Sequence, residues 1–197
     1  VNSHWNSNIG QDIVDEVYTN QAEVELFLTC KSQGVQRLVN NDDHILKWLV
    51  AYEPGELKAI SVVTGVDVGT SLRSSLEPAA VVLSVDRKRL DADGYDVAHI
   101  IAQVVDKNGV AVMTQERKLS FGIDPKLQLL GVDNGAADNV QPHKSDEITT
   151  RNGRALLIVQ TKTSVGDAII NVSADGLEGA ELGLSIKAAS ELVDSIP

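Results

Sequence analysis

The stretch Val24-Glu25-Leu26-Phe27-Leu28-Thr29-Cys30-Lys31-Ser32-Gln33-Gly34, followed downstream by Trp48-Leu49-Val50-Ala51-Tyr52-Glu53-Pro54-Gly55-Glu56-Leu57-Lys58-Ala59, decides the fold. In the first run Val24, Leu26 and Leu28 alternate with Glu23, Glu25 and Phe27, which is the two-residue period of a strand with one buried face. Each run reads as a strand, a tight turn and a second strand. Pro54-Gly55 supplies the turn of the second run, since proline presets φ and glycine tolerates positive φ. Thr29-Cys30 sits where the first run must turn.

The same alternation continues through the chain. Ala98, Ile100, Ala102 and Val104 form one set, Ile170, Val172 and Ala174 another, and Ala180, Leu182, Leu184 and Ile186 the cleanest of all. Between the runs lie Asn40-Asn41-Asp42-Asp43, Asp93-Gly94, Asn108-Gly109, Asp124-Pro125, Asn134-Gly135, Asn152-Gly153 and Asp175-Gly176, residue pairs suited to tight turns. No convincing helical period competes with them. Many short strands at close spacing predict an all-β chain of antiparallel sandwiches. The rhythm breaks at residues 73–78, which places a domain boundary there and two domains at 1–73 and 74–197. About five strands are expected before the break (residues 12–19, 23–29, 45–52, 56–63 and 66–71) and about seven after it. Residues 136–150 read as a long polar loop, and residues 188–197 as a helical turn or a frayed tail.

Charge and composition remove several function classes. Twenty-eight acidic against 17 basic residues leave a net charge of −11, which disfavours nucleic acid and anionic membrane surfaces. No apolar run is long enough to span a bilayer, so no membrane insertion is expected. Cys30 stands alone and cannot form an internal disulfide; with only Lys31 as a basic neighbour it reads as a spectator thiol. The opening Val-Asn-Ser-His, without an initiator Met or a signal-like segment, suggests an excised piece of a longer chain.

Candidate chemistry is sparse. Asp91, Asp93 and Asp96 cluster around Gly94 in the manner of an oxygen-rich Ca²⁺ loop, yet a turn capped by its own aspartates explains them without a metal. His4, His44, His99 and His143 lack zinc-like spacing, and His99 reads as a surface residue suited to an inter-domain contact. Asn171-Val172-Ser173 matches a glycosylation sequon but falls inside a strand. Sugar-binding faces use exposed aromatic rings, and only Trp5, Tyr52 and Tyr95 occupy turn or terminal positions that could expose one. Trp48, Tyr18 and Phe27 read as core.

Ser3-His4-Trp5-Asn6, Tyr18-Thr19-Asn20, the two quoted runs, Val85-Asp86-Arg87 with Ala92-Asp93-Gly94-Tyr95-Asp96, Ile123-Asp124, Leu130-Gly131-Val132-Asp133-Asn134-Gly135 and Arg154-Ala155-Leu156-Leu157-Ile158-Val159-Gln160 occur in one order over most of the chain. Together they resemble the immunoglobulin-like sandwiches that follow the catalytic barrel in β-galactosidase-type enzymes of glycoside hydrolase family 2. The family usually has Asn-Gly where Thr29-Cys30 stands, so this hairpin turn is expected to be less sharply specified than the family's. The resemblance implies two consecutive immunoglobulin-like domains and a parent that is a retaining exo-glycosidase acting on terminal β-galactosides, with no cofactor. It implies contacts to the parent's own catalytic barrel and in an oligomer, carbohydrate met through the parent, and a periplasmic or extracellular location. That family carries its acid/base on an Asn-Glu dipeptide, which this chain lacks, so no catalytic residue transfers. The competing readings are a free-standing carbohydrate-binding or cell-surface adhesion module, and a mechanical spacer.

Overall fold

The computed structural model describes residues 4–63 and 66–189. Ser3 and the 190–197 part of the tail, which entered the sequence reading, lie outside the described residues. The chain separates into two compact units, Val1–Ser75 and Leu76–Pro197.

The first unit holds β1 (Asp12–Tyr18), β2 (Glu23–Leu28), β3 (Lys31–Arg37), a 3₁₀ turn at Leu38–Asn40, β4 (Ile45–Ala51), β5 (Glu56–Val63) and β6 (Val66–Arg73). Strands β1 and β4 pair antiparallel as a two-stranded sheet, and the other four form a sheet in the order β3-β2-β5-β6. The alternation read from the sequence becomes the core: Val24, Leu26 and Leu28 of β2, Leu46, Trp48 and Val50 of β4, and Leu57 and Ala59 of β5 are buried together. Each fully buried large aliphatic side chain stabilises by about 1.5–3 kcal/mol, so this cluster supplies most of the drive for the unit. Phe27 lies half-buried on the face of β2 opposite Leu26 and Leu28.

The second unit holds β7 (Pro78–Val85), β8 (Arg89–Asp91), β9 (Val97–Asp106), β10 (Lys118–Ile123), β11 (Leu127–Asp133), β12 (Glu147–Thr149), β13 (Arg154–Thr161), β14 (Gly166–Ala174) and β15 (Ala180–Lys187). Its sheets run β12-β10-β14-β15-β8 and β11-β13-β9-β7, antiparallel except for the parallel pair β15–β8. Ala98, Ile100, Ala102, Leu157, Ala168 and Ile170 are fully shielded between them. The all-β, sandwich-type fold expected from the sequence is therefore present.

Three details differ from the sequence reading. Thr29 and Cys30 adopt φ of 46° and 67°, so the two-residue turn keeps the double positive φ of a type I′ hairpin without Asn-Gly. The register Leu28↔Lys31 closes the hairpin directly across it, and tertiary pairing overrides local preference. Residues 136–150 are not all loop, because β12 adds its three residues to the edge of β10. Asp91 likewise belongs to a strand, pairing with Lys187 across β8–β15.

Candidate functional site

Asp93 and Asp96 lie in the bend that leaves β8 after Asp91. Asp93 Oδ1 accepts the backbone N–H groups of Tyr95 (2.7 Å) and Asp96 (2.9 Å), which hold its carboxyl below the usual range. Asp96 accepts the Asp91 N–H through Oδ2 (2.9 Å), and the Arg87 guanidinium (3.1 Å) through Oδ1. Asp93 Oδ1 and both Asp96 oxygens are thus turned to backbone amides and an arginine. Among the described residues no group of three or more His, Cys, Asp or Glu is arranged to hold a metal ion.

The aromatic expectations need correction. Trp5 is 1% exposed and Tyr52 is 4% exposed. Their rings pack tilted at 59° with centroids 5.3 Å apart. Trp5 Nε1 donates to the Glu53 carbonyl at 3.0 Å, and the Tyr52 hydroxyl is 3.2 Å from Ser74 Oγ. Both side chains bury their apolar bodies and satisfy their polar tips, so neither can offer a ring face to a sugar. Tyr95 keeps that capacity, being 80% exposed between Asp93 and Asp96. Tyr18, expected in the core, is 59% exposed with its hydroxyl donating to Glu16 at 2.8 Å. Trp48 is core, as expected, and donates through Nε1 to the Gly34 carbonyl at 3.1 Å.

The remaining singled-out residues stay apart. His99 is exposed, its ring nitrogen 3.1 Å from Asp86. Burial works against the Asp86 charge, but the N–H and ring of His99 and the N–H of Arg87 outweigh it and hold that carboxyl low. His143 lies 3.2 Å from the Val132 carbonyl, and Cys30 is exposed in its turn. Asn171 sits in β14 with its amide against Gly122, in keeping with a strand residue.

Asp15 was not singled out in the sequence. The face-alternation of β1 turns Ile13, Asp15 and Val17 toward the sandwich interior, and Asp15 faces Trp48 in the pairing register with β4. Its Oδ2 is buried and has no hydrogen-bond partner, and burial pushes its carboxyl up from 3.8 to about 6. It lines a groove of about 600 Å³ in the first unit, formed by residues 14–18 of β1, residues 70–72 of β6, and Leu26, Leu57 and Ala59 between them. A polar residue at an inward position of an alternating strand was the available signal.

Known proteins match both units. Residues 81–183 match the glycoside hydrolase family 2 C-terminal domain 5, and residues 10–69 match a domain of unknown function, DUF4982. The chain is 33% identical to beta-galactosidase BoGH2A of Bacteroides ovatus over 184 residues, covering 92% of this chain and 22% of that protein. A solved glycosyl hydrolase family 2 member from Bacteroides cellulosilyticus superposes with TM-score 0.88 at 30% identity, over 93% of this chain and 24% of that one. A beta-glycosidase from Bacteroides vulgatus gives TM-score 0.86 at 28% identity, over 92% and 24%. The chain spans between about a seventh and a fifth of the length of the curated relatives it matches. With more than half of its residues inside the C-terminal domain profile, the chain belongs to the C-terminal β-sandwich region of glycoside hydrolase family 2.

Proposed function

We propose that residues 1–197 are a non-catalytic accessory region of a larger β-galactosidase-like enzyme, whose catalytic barrel lies elsewhere in the same polypeptide. The observation that carries this reading is the asymmetry of the match to BoGH2A, which takes in nine-tenths of this chain and about a fifth of that enzyme. The chemistry agrees with it. Glycoside hydrolysis uses two carboxyl groups facing one sugar, one of them held protonated. Asp15 is the carboxyl pushed up to about 6, and the other acid on its groove, Glu16, alternates to the opposite face of β1 and accepts the Tyr18 hydroxyl. The parent is expected to release terminal β-linked galactose, with BoGH2A as the support for galactose over other sugars. The test is hydrolysis of p-nitrophenyl β-galactoside and p-nitrophenyl β-glucuronide by the native polypeptide and by residues 1–197. Galactoside turnover by the native polypeptide alone supports the proposal. Turnover by residues 1–197 refutes the non-catalytic role, and preference for the glucuronide refutes the sugar assignment.

The exposed ring of Tyr95 favours a second reading, a free-standing carbohydrate-binding or adhesion module. That reading requires residues 1–197 to bind galactosides by themselves, with loss of binding in Tyr95→Ala.

A further inference from the structure

The groove beside Asp15 runs along strand edges. Its walls are consecutive residues, 14–18 of β1 and 70–72 of β6, whereas a pocket beneath a sheet face would be lined by every second residue of a strand. Among the described residues β1 pairs only with β4, and β6 only with β5, so each is an edge strand, and both line this opening with consecutive residues. The floor between them is apolar, from the inward side chains of Leu26, Leu57 and Ala59. One sheet of this sandwich has two strands and the other four, and the opening lies where the smaller sheet ends.

An occupant of this site has three requirements to meet. It must offer backbone N–H and C=O groups to free strand edges, which an extended peptide does and a small molecule does not. It must place apolar side chains on the floor at every second residue. It must bring a donor to the Asp15 carboxylate, whose buried Oδ2 has no partner, and none of the residues lining the groove is basic. Its length is set by the five residues of β1 along the wall, about 17 Å of strand.

We propose that this groove is a strand-acceptor site, filled by an extended, alternating apolar segment bearing a Lys or Arg that pairs with Asp15. The segment comes from the same polypeptide outside residues 1–197. The assignment of that source rests on the reading of this chain as part of a larger enzyme. Charge complementarity selects the basic residue: a cation pairs a half-buried carboxylate that has one orphaned oxygen, and an acidic or neutral apolar strand would leave it unpaired.

Amide hydrogen exchange read by mass spectrometry, on the native polypeptide and on residues 1–197, tests the proposal. Peptides covering β1 and β6 are expected to exchange at least about tenfold more slowly in the native polypeptide, with the β2–β3 hairpin equal in both. Asp15→Lys in the native polypeptide places like charges together and is expected to abolish the difference. Asp15→Asn, a milder change, should leave an intermediate rate. A larger native polypeptide with equal β1 and β6 exchange in both samples overturns the strand-acceptor site and leaves the accessory reading intact. A native polypeptide of about 21 kDa, the mass of this chain, overturns both.

Discussion

Thr29 and Gly55 meet at the point where the two decisive stretches of sequence come together: a Cβ on residue 55 would lie 2.0 Å from Thr29 Oγ1. The Thr29 N–H donates to the Glu56 carbonyl at 2.8 Å, and Ser74 ties the same turn through its Oγ to the Gly55 N–H at 3.0 Å. The hairpin turn of β2–β3 is therefore seated on the turn that opens β5, and the fit admits only glycine at 55, which also holds φ of 153°.

Gly55→Ala is accordingly expected to destabilise the first unit by about 2 kcal/mol or more, from the clash with Thr29 together with backbone strain. Urea unfolding of residues 1–197 checks this. An unchanged midpoint would mean that the contact relaxes at no cost.

Cys30→Gly should act in the opposite direction. Cys30 is exposed and holds φ of 67°, a conformation that costs an L residue roughly 1–2 kcal/mol and glycine nothing. After allowing for the greater chain freedom of glycine when unfolded, a gain of about 0.5–1 kcal/mol is expected. Equilibrium denaturation under reducing conditions measures it.

Asp106 is 2% exposed and caps the loop after β9, accepting backbone N–H groups from Leu76, Asn108 and Val110 at 2.8–2.9 Å. Burial opposes its charge, but those three bonds prevail and its carboxyl is held low. Because the folded state depresses this acid, its contribution is present above the ordinary carboxylate range and is lost as pH falls through the lowered value. Asp106→Ala leaves three donors unsatisfied and should cost about 2–4 kcal/mol at pH 7, with the deficit shrinking in acid. Thermal unfolding from pH 7 down to pH 2 tests both parts.

Asp15 has the reverse sign. Its folded value, about 6, lies above the ordinary 3.8, so the folded chain binds the extra proton and stability falls as pH rises from about 4 to 6. Below that window both states are protonated, and above it the penalty is constant. The full shift would correspond to about 3 kcal/mol, and partial access to solvent reduces this to about 1–2 kcal/mol. In residues 1–197 alone, Asp15→Asn should be more stable than wild type at pH 7 and flat between pH 4 and 6. A wild-type profile without a slope in that window would contradict the orphaned carboxylate.

The fold was legible because burial in these sandwiches follows parity. The alternation of Val24, Leu26 and Leu28, and of Ala98, Ile100 and Ala102, maps directly onto buried faces. Parity failed at β1, where a carboxylate occupies an inward position: Ile13, Asp15 and Val17 face in, and Tyr18, expected in the core, faces out. Trp5 and Tyr52 were misplaced because they lie outside the strands, and irregular segments carry no period from which to read a face. The short strands β8 and β12 escaped for a related reason: three residues are too few to establish alternation. The groove could not be read at all, since its walls are more than fifty residues apart in sequence and exist only once β1 and β6 are placed.

The central claim is that this chain is one part of a larger family 2 glycoside hydrolase, and the mass of the native polypeptide tests it most directly. An antibody raised to residues 1–197, used on denatured extract of the source cells, is expected to detect a single polypeptide about four to five times the 21.1 kDa of this chain, in proportion to its 22% coverage of BoGH2A. A band at 21 kDa would contradict the account and leave a free-standing module in its place.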